Sequence, residues 1–226
     1  GDHRDLHSFP TRRSSDLSLR PILVTPSPHE RARQMAYDLL IKNGAVIDGT
    51  GKPRCAASIA VVDGKIAAMG ELDGPARRTL DAAGQIVCPG FVDPHTHYDA
   101  QITWDQLLSS SSEHGVTTVM MGNCGVGIAP ARPHQRKLLA EDLVTVEGID
   151  QEVLEAGIRW DWESFPQFMD AADKRGSAIN LGFLVPLSPL RTYVLGADAN
   201  ERAATREETQ TVAALLRNAI NAGAWG

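Results

Sequence analysis

The 226-residue sequence is short of cysteine, of long apolar runs and of positive charge. Its three cysteines, Cys55, Cys88 and Cys124, are odd in number and widely spaced. That excludes a disulfide framework and leads us to expect a reducing, cytoplasmic setting. No apolar stretch approaches the ~18 residues of a membrane span, and no charged-then-apolar secretory leader is visible. Lysine and arginine total 22 against 28 aspartates and glutamates, a net charge of −6. A mildly acidic chain does not suit the phosphate backbone, so no nucleic acid is expected as a partner, and without a spanning run no membrane is expected either. What remains is a chain with 42% hydrophobic and 22% charged residues, enough apolar material for one large domain or two small ones.

Three unequal parts can be distinguished. Residues 1–34 contain Pro10, Pro21, Pro26 and Pro28 among arginines and serines, and no helical or strand period survives there. The stretch 5–17 resembles a translated sequencing-library adaptor. We therefore expect 1–34 to be a non-native, disordered leader and native sequence to begin at Met35; His3, His7 and His29 carry no functional weight. Residues 35–85 predict a small antiparallel β domain. Asn43-Gly44 and Asp63-Gly64 each sit between apolar runs, and both dipeptides tolerate the positive φ of a tight hairpin.

The pattern changes after that. A short apolar run at 86–92 opens a series. A helix is expected at 103–114, a strand at 116–121, a helix at 134–147, a helix whose face includes Trp162, Phe165, Phe168 and Ala172, a strand at 178–185, and a last helix. Thr205 and Glu208 have capping-box spacing ahead of that helix, and Val212, Leu215, Leu216 and Ile220 form its stripe. Strands alternating with helices predict parallel βαβ units. Residues 86–226 hold three of them, whereas a closed (β/α)8 barrel takes about 250 residues.

Three stretches could carry chemistry. In Phe91-Val92-Asp93-Pro94-His95-Thr96-His97, residues two apart on extended chain face the same side, so His95 and His97 can point at one metal ion. The plainer alternative is two surface histidines after a turn. In Gly122-Asn123-Cys124-Gly125-Val126-Gly127, Cys124 could ligate zinc, act as a nucleophile, or be inert packing. The glycines lack the Lys and Ser/Thr of a phosphate loop. In the loop expected at 186–193, Arg191 could clamp a substrate carboxylate with two parallel hydrogen bonds or be a surface arginine. Asp93 reads as a loop-fixing group, and Cys55 and Cys88 as packing residues.

Together these stretches resemble the amidohydrolase superfamily and, within it, the N-acyl-D-amino-acid deacylase family. The likeness is carried by Tyr37-Asp38-Leu39-Leu40-Ile41-Lys42-Asn43-Gly44, Val46-Ile47-Asp48-Gly49-Thr50-Gly51, Pro89 to His97, Gly115-Val116-Thr117-Thr118 and Gly122-Asn123-Cys124-Gly125. The resemblance implies an α/β fold: an incomplete (β/α)8 metallo-hydrolase barrel, its first three βα units, beside a small β domain. It implies zinc as cofactor, with Cys124 on the tightly held ion and His95 and His97 at a second or weaker position of the same centre. It places the general-base aspartate beyond residue 226. It implies hydrolysis of the linear amide of a small N-acyl-(D-)amino acid, and a chain that is inactive by itself. The alternatives are a cyclic-amide hydrolase of the hydantoinase type and a non-catalytic zinc-binding fragment. In one departure, Leu187-Ser188 stands where many relatives carry a histidine followed by Gly or Ser.

Overall fold

The computed structural model describes residues 37–226, so the expected leader and the Met35 start lie outside the described residues. The chain divides into two compact units, one ending at Cys88 and one running from Pro89 to Gly226.

The first unit is a five-stranded sheet of β1 (Tyr37–Val46), β2 (Cys55–Val62), β3 (Lys65–Gly70), β4 (Ala76–Asp81) and β5 (Ile86–Val87). Its order is β3-β2-β1-β4, with β5 also on β1. The β1–β2 and β2–β3 pairs are antiparallel, but β4 and β5 run parallel to β1. The sheet is thus mixed, which corrects the antiparallel expectation. Asp63-Gly64 makes the expected hairpin, with φ of 51° and 70°. Asn43-Gly44 does not. It lies inside β1 as a bulge, where the register slips between Ile41 and Gly44 and Asn43 takes φ 60°. A bulge and a tight turn ask for the same backbone freedom, so the dipeptide alone cannot separate them. A Cβ on Gly44 would sit 2.6 Å from Val87 Cγ2, so the missing side chain lets β5 close on β1. Tyr37, Leu40 and Ala60 form the small core.

The second unit is built on three parallel strands in the order β6 (Phe91–Asp93), β7 (Val116–Met121), β8 (Asn180–Phe183). The single apolar run expected at 86–92 is therefore shared between two sheets. Pro89 lacks the N–H that a continuous ladder needs, and the chain changes sheet there. Six helices accompany the strands: α1 (Ser109–Glu113), α2 (Arg136–Glu147), α3 (Gln151–Gly157), α4 (Phe165–Arg175), α5 (Leu187–Leu195) and α6 (Arg206–Asn221). The helix expected at 103–114 shrinks to a turn at Gln101–Thr103 and the short α1. The loop expected at 186–193 is instead α5. Pro189 falls in its first turn, where backbone N–H groups have no helical partner to lose.

Val119 and Met121, two apart on β7, share one face, and both belong to the buried core cluster that includes Leu139, Leu143, Phe165 and Phe168. Trp162 precedes α4 rather than belonging to it. Its indole is buried and donates to the Ile128 carbonyl at 3.1 Å, and its ring centroid lies 5.0 Å from that of Phe168. Helix α4 starts on a Ser164 cap and ends at Gly176, and α6 carries the expected box, Thr205 accepting from the Glu208 N–H. Beyond β8, Trp225 N–H donates to the Phe183 carbonyl at 2.8 Å. Cys55 and Cys88 are exposed, not packed as expected. No helix among the described residues is long and apolar enough to cross a membrane.

Candidate metal centre

The site forms where β6 and β7 end. Past β6, Asp93 Oδ1 accepts the His95 N–H at 3.1 Å, fixing the turn as expected for Asp93. Thr96 turns inward and is buried. Its N–H and its hydroxyl both donate to the Met120 carbonyl, at 3.0 and 2.6 Å. With Thr96 pinned to β7, its neighbours His95 and His97 are left on the other side of an extended chain. Their ring centroids are 5.4 Å apart.

Past β7, Gly122 takes φ 82° and Cys124 takes φ 55°. A side chain on Gly122 would collide with the Leu184 carbonyl, so the turn runs against the backbone beyond β8. A cysteine in the left-handed region is uncommon, and such strain concentrates at functional sites. Here it brings Cys124 Sγ to 3.1 Å from His95 Nε2. Asn123 Nδ2 reaches back to the Thr96 and Met120 carbonyls, at 3.3 and 3.0 Å, tying the two strand ends together.

The ligand atoms of His95, His97 and Cys124 all lie within 4.8 Å of one another. Tetrahedral zinc, with bonds of about 2.0–2.1 Å to nitrogen and 2.3 Å to sulfur, holds neighbouring ligand atoms roughly 3.4 Å apart. Closing the cluster on an ion thus takes shifts of about an ångström or less. The donor set, one thiol and two imidazoles, suits zinc. His97 Nδ1 is buried without a hydrogen bond, and Glu147 Oε1 lies 3.5 Å away. These residues fit the ion.

Asp99 is 2% exposed beneath the loop, and its Oδ2 accepts the Gly122 N–H at 3.2 Å. Burial pushes its carboxyl up to about 7; the Gly122 N–H opposes the shift and the Glu147 charge adds to it. Neither Asp99 nor Glu147 stands out among the candidate residues of the sequence. The second could not be found from spacing, because it sits fifty residues on, at the end of an ordinary amphipathic helix.

Arg191 is not part of the cluster. It lies on α5, where Nε and Nη2 donate to the Ala199 carbonyl and Nη2 also donates to that of Arg202 at 2.9 Å. Leu187, exposed at the start of α5, is nearer the site: a Cβ on Gly125 would come within 3.8 Å of its Cβ. Among the other histidines, His114 bonds the Ser110 carbonyl through Nδ1 and His134 is exposed in a turn.

Residues 78–226 match the model of the amidohydrolase family. Parallel strands with a cluster of two histidines and a cysteine that could hold a metal ion at their carboxyl ends agree with that match, and the chain belongs to the amidohydrolase family. It is 35% identical over 191 residues to a D-aminoacylase of Alcaligenes xylosoxydans xylosoxydans, covering 84% of this chain and 37% of that protein. An uncharacterized protein of Mycobacterium tuberculosis is 36% identical over 201 residues, covering 85% of this chain and 32% of the relative. The crystal structure of N-acyl-D-glutamate deacylase from Bordetella bronchiseptica, complexed with zinc and a phosphonate mimic of the tetrahedral intermediate, superposes with a TM-score of 0.72 at 36% identity. That superposition covers 84% of this chain and 37% of the deacylase. The chain thus spans about a third of the length of the relatives it matches.

Proposed function

We propose that His95, His97 and Cys124 hold zinc in an enzyme that hydrolyses the linear amide of N-acyl-D-amino acids to a carboxylate and a free amino acid. The observation that carries the proposal is the 3.1 Å approach of Cys124 Sγ to His95 Nε2 across the ends of two adjacent parallel strands. The deacylase relatives support the substrate class. Bound there, zinc supplies Lewis acidity and a nucleophile at neutral pH. The chain's own residues do the positioning. Thr96 and Asn123 lock the two strand ends, and Asp99 holds the Gly122 turn on which Cys124 is carried.

In this proposal Leu187 faces incoming substrate with an apolar surface beside the cysteine loop. Arg191 acts on substrate only indirectly, by fastening the 196–202 turn to α5 through the Ala199 and Arg202 carbonyls. The 226 residues alone bind zinc but do not turn over, because three strand ends supply only part of an eight-stranded barrel's catalytic face.

The test is an assay of the protein encoded by the whole reading frame around these residues, with zinc, on N-acetyl-D-amino acids, their L enantiomers and hydantoins. Zinc-dependent release of the D-amino acid, absent with the 226-residue chain, is the expected result. Hydrolysis of the hydantoins instead would overturn the substrate class. Turnover by the short chain would overturn its assigned inactivity.

A further inference from the structure

We infer that Glu147 is a positioning residue of the metal centre, holding the His97 imidazole through Nδ1 so that Nε2 faces the ion. The inference rests on the zinc reading of the His95, His97, Cys124 cluster. An imidazole that gives one nitrogen to a metal carries its proton on the other, and that N–H needs an acceptor. In His97 the buried nitrogen is Nδ1, and it makes no hydrogen bond. The Glu147 carboxylate stands 3.5 Å from it, with the His97 and Glu147 side chains only 14% and 24% exposed. A small rotation of the glutamate closes that gap to a hydrogen bond.

Helix α2 gives no other reason for an acid at this place. Glu147 is its last residue, where the negative end of the helix dipole disfavours a carboxylate, and the last turn carries no basic side chain. The helix end is already closed by Gly148, at φ 66°, whose N–H donates to the Val144 carbonyl at 3.0 Å. Among the described residues, the basic side chain within ion-pair distance of Glu147 is His97. Because His97 follows β6 and Glu147 ends α2, the pair would also couple the packing of that helix to the geometry of the site.

A different role for the same pair makes the opposite prediction. If Glu147 merely stabilised a protonated His97, its removal would free the imidazole for metal, and zinc affinity would hold or rise. The experiment is a zinc titration of the metal-free 226-residue chain against a chromophoric chelator at neutral pH, for wild type, Glu147→Ala and Glu147→Gln. Cobalt is substituted in parallel, and its visible bands report ligand geometry. Glu147→Ala is expected to bind zinc about 10–100-fold more weakly, the usual cost of losing such a partner. Glu147→Gln should fall between, since its amide oxygen accepts the hydrogen bond without the charge. The melting temperature of the metal-free protein should stay near that of wild type, and the cobalt bands should shift in both variants. Unchanged or tighter zinc binding by a folded Glu147→Gln overturns the inference alone. Failure of the wild type to bind zinc overturns it together with the zinc reading.

Discussion

Replacing Cys124 with alanine should lower the affinity of this chain for zinc by more than about a hundredfold, because loss of even an outer partner of a ligand costs about 10–100-fold. The thiolate is the softest of the three donors and suits zinc best. Its removal leaves two imidazoles on a segment fastened to the end of β7 through Thr96 and Asn123. The side chain is exposed, so little packing is lost and the fold should survive. His95→Ala and His97→Ala should each retain more zinc than Cys124→Ala if, as proposed, the thiolate is the dominant ligand. Zinc content after dialysis, measured beside the melting temperature, decides the matter. A folded Cys124→Ala protein with full zinc would contradict the assignment.

The largest loss of stability should come from Gly122→Ala. At φ 82° an alanine pays the left-handed penalty of about 1–2 kcal/mol. Its Cβ would also strike the Leu184 carbonyl, and backbone cannot swing aside as a side chain can. The turn would have to move away from β8, stretching the Leu184 N–H bond to the Met121 carbonyl, now 2.8 Å, and the Gly122 N–H bond to Asp99. Leaving those groups short of partners adds about 1–3 kcal/mol, for a total of roughly 3 kcal/mol or more. Gly125→Ala is the control. Its φ of 75° brings similar strain, but the nearest atom to its Cβ is 3.8 Å away. It should lose only the left-handed penalty. All four tryptophans follow residue 88, so urea melts followed by tryptophan fluorescence report the unit that holds both sites. Equal midpoints for the two variants would show that the contact with Leu184 does not matter.

The parts of the fold that were legible in the sequence are those fixed by local chemistry. The 116–121 run, the Asp63-Gly64 hairpin and the Thr205 box depend on period, on positive φ and on capping, and each forms as expected. The errors arose where one local signal serves two structures. Asn43-Gly44 satisfies a bulge as well as a turn. Pro186 and Pro189 mark a helix start as well as a loop. Whether β4 lies parallel or antiparallel to β1 is a matter of long-range pairing, to which no local pattern speaks. The same division holds at the site. His95, His97 and Cys124, which the fold brings together, could be picked out as candidates because ligand types at strand ends are visible in one dimension. The Asp99 tie to Gly122 and the approach of Glu147 to His97 exist only once β6, β7 and α2 are packed.

Zinc K-edge X-ray absorption on the zinc-loaded chain tests the centre most directly. One sulfur scatterer at about 2.3 Å, with imidazole nitrogens at about 2.0–2.1 Å, is the predicted first shell. The sulfur should disappear in Cys124→Ala. A shell of nitrogen and oxygen alone in the wild type would contradict the account.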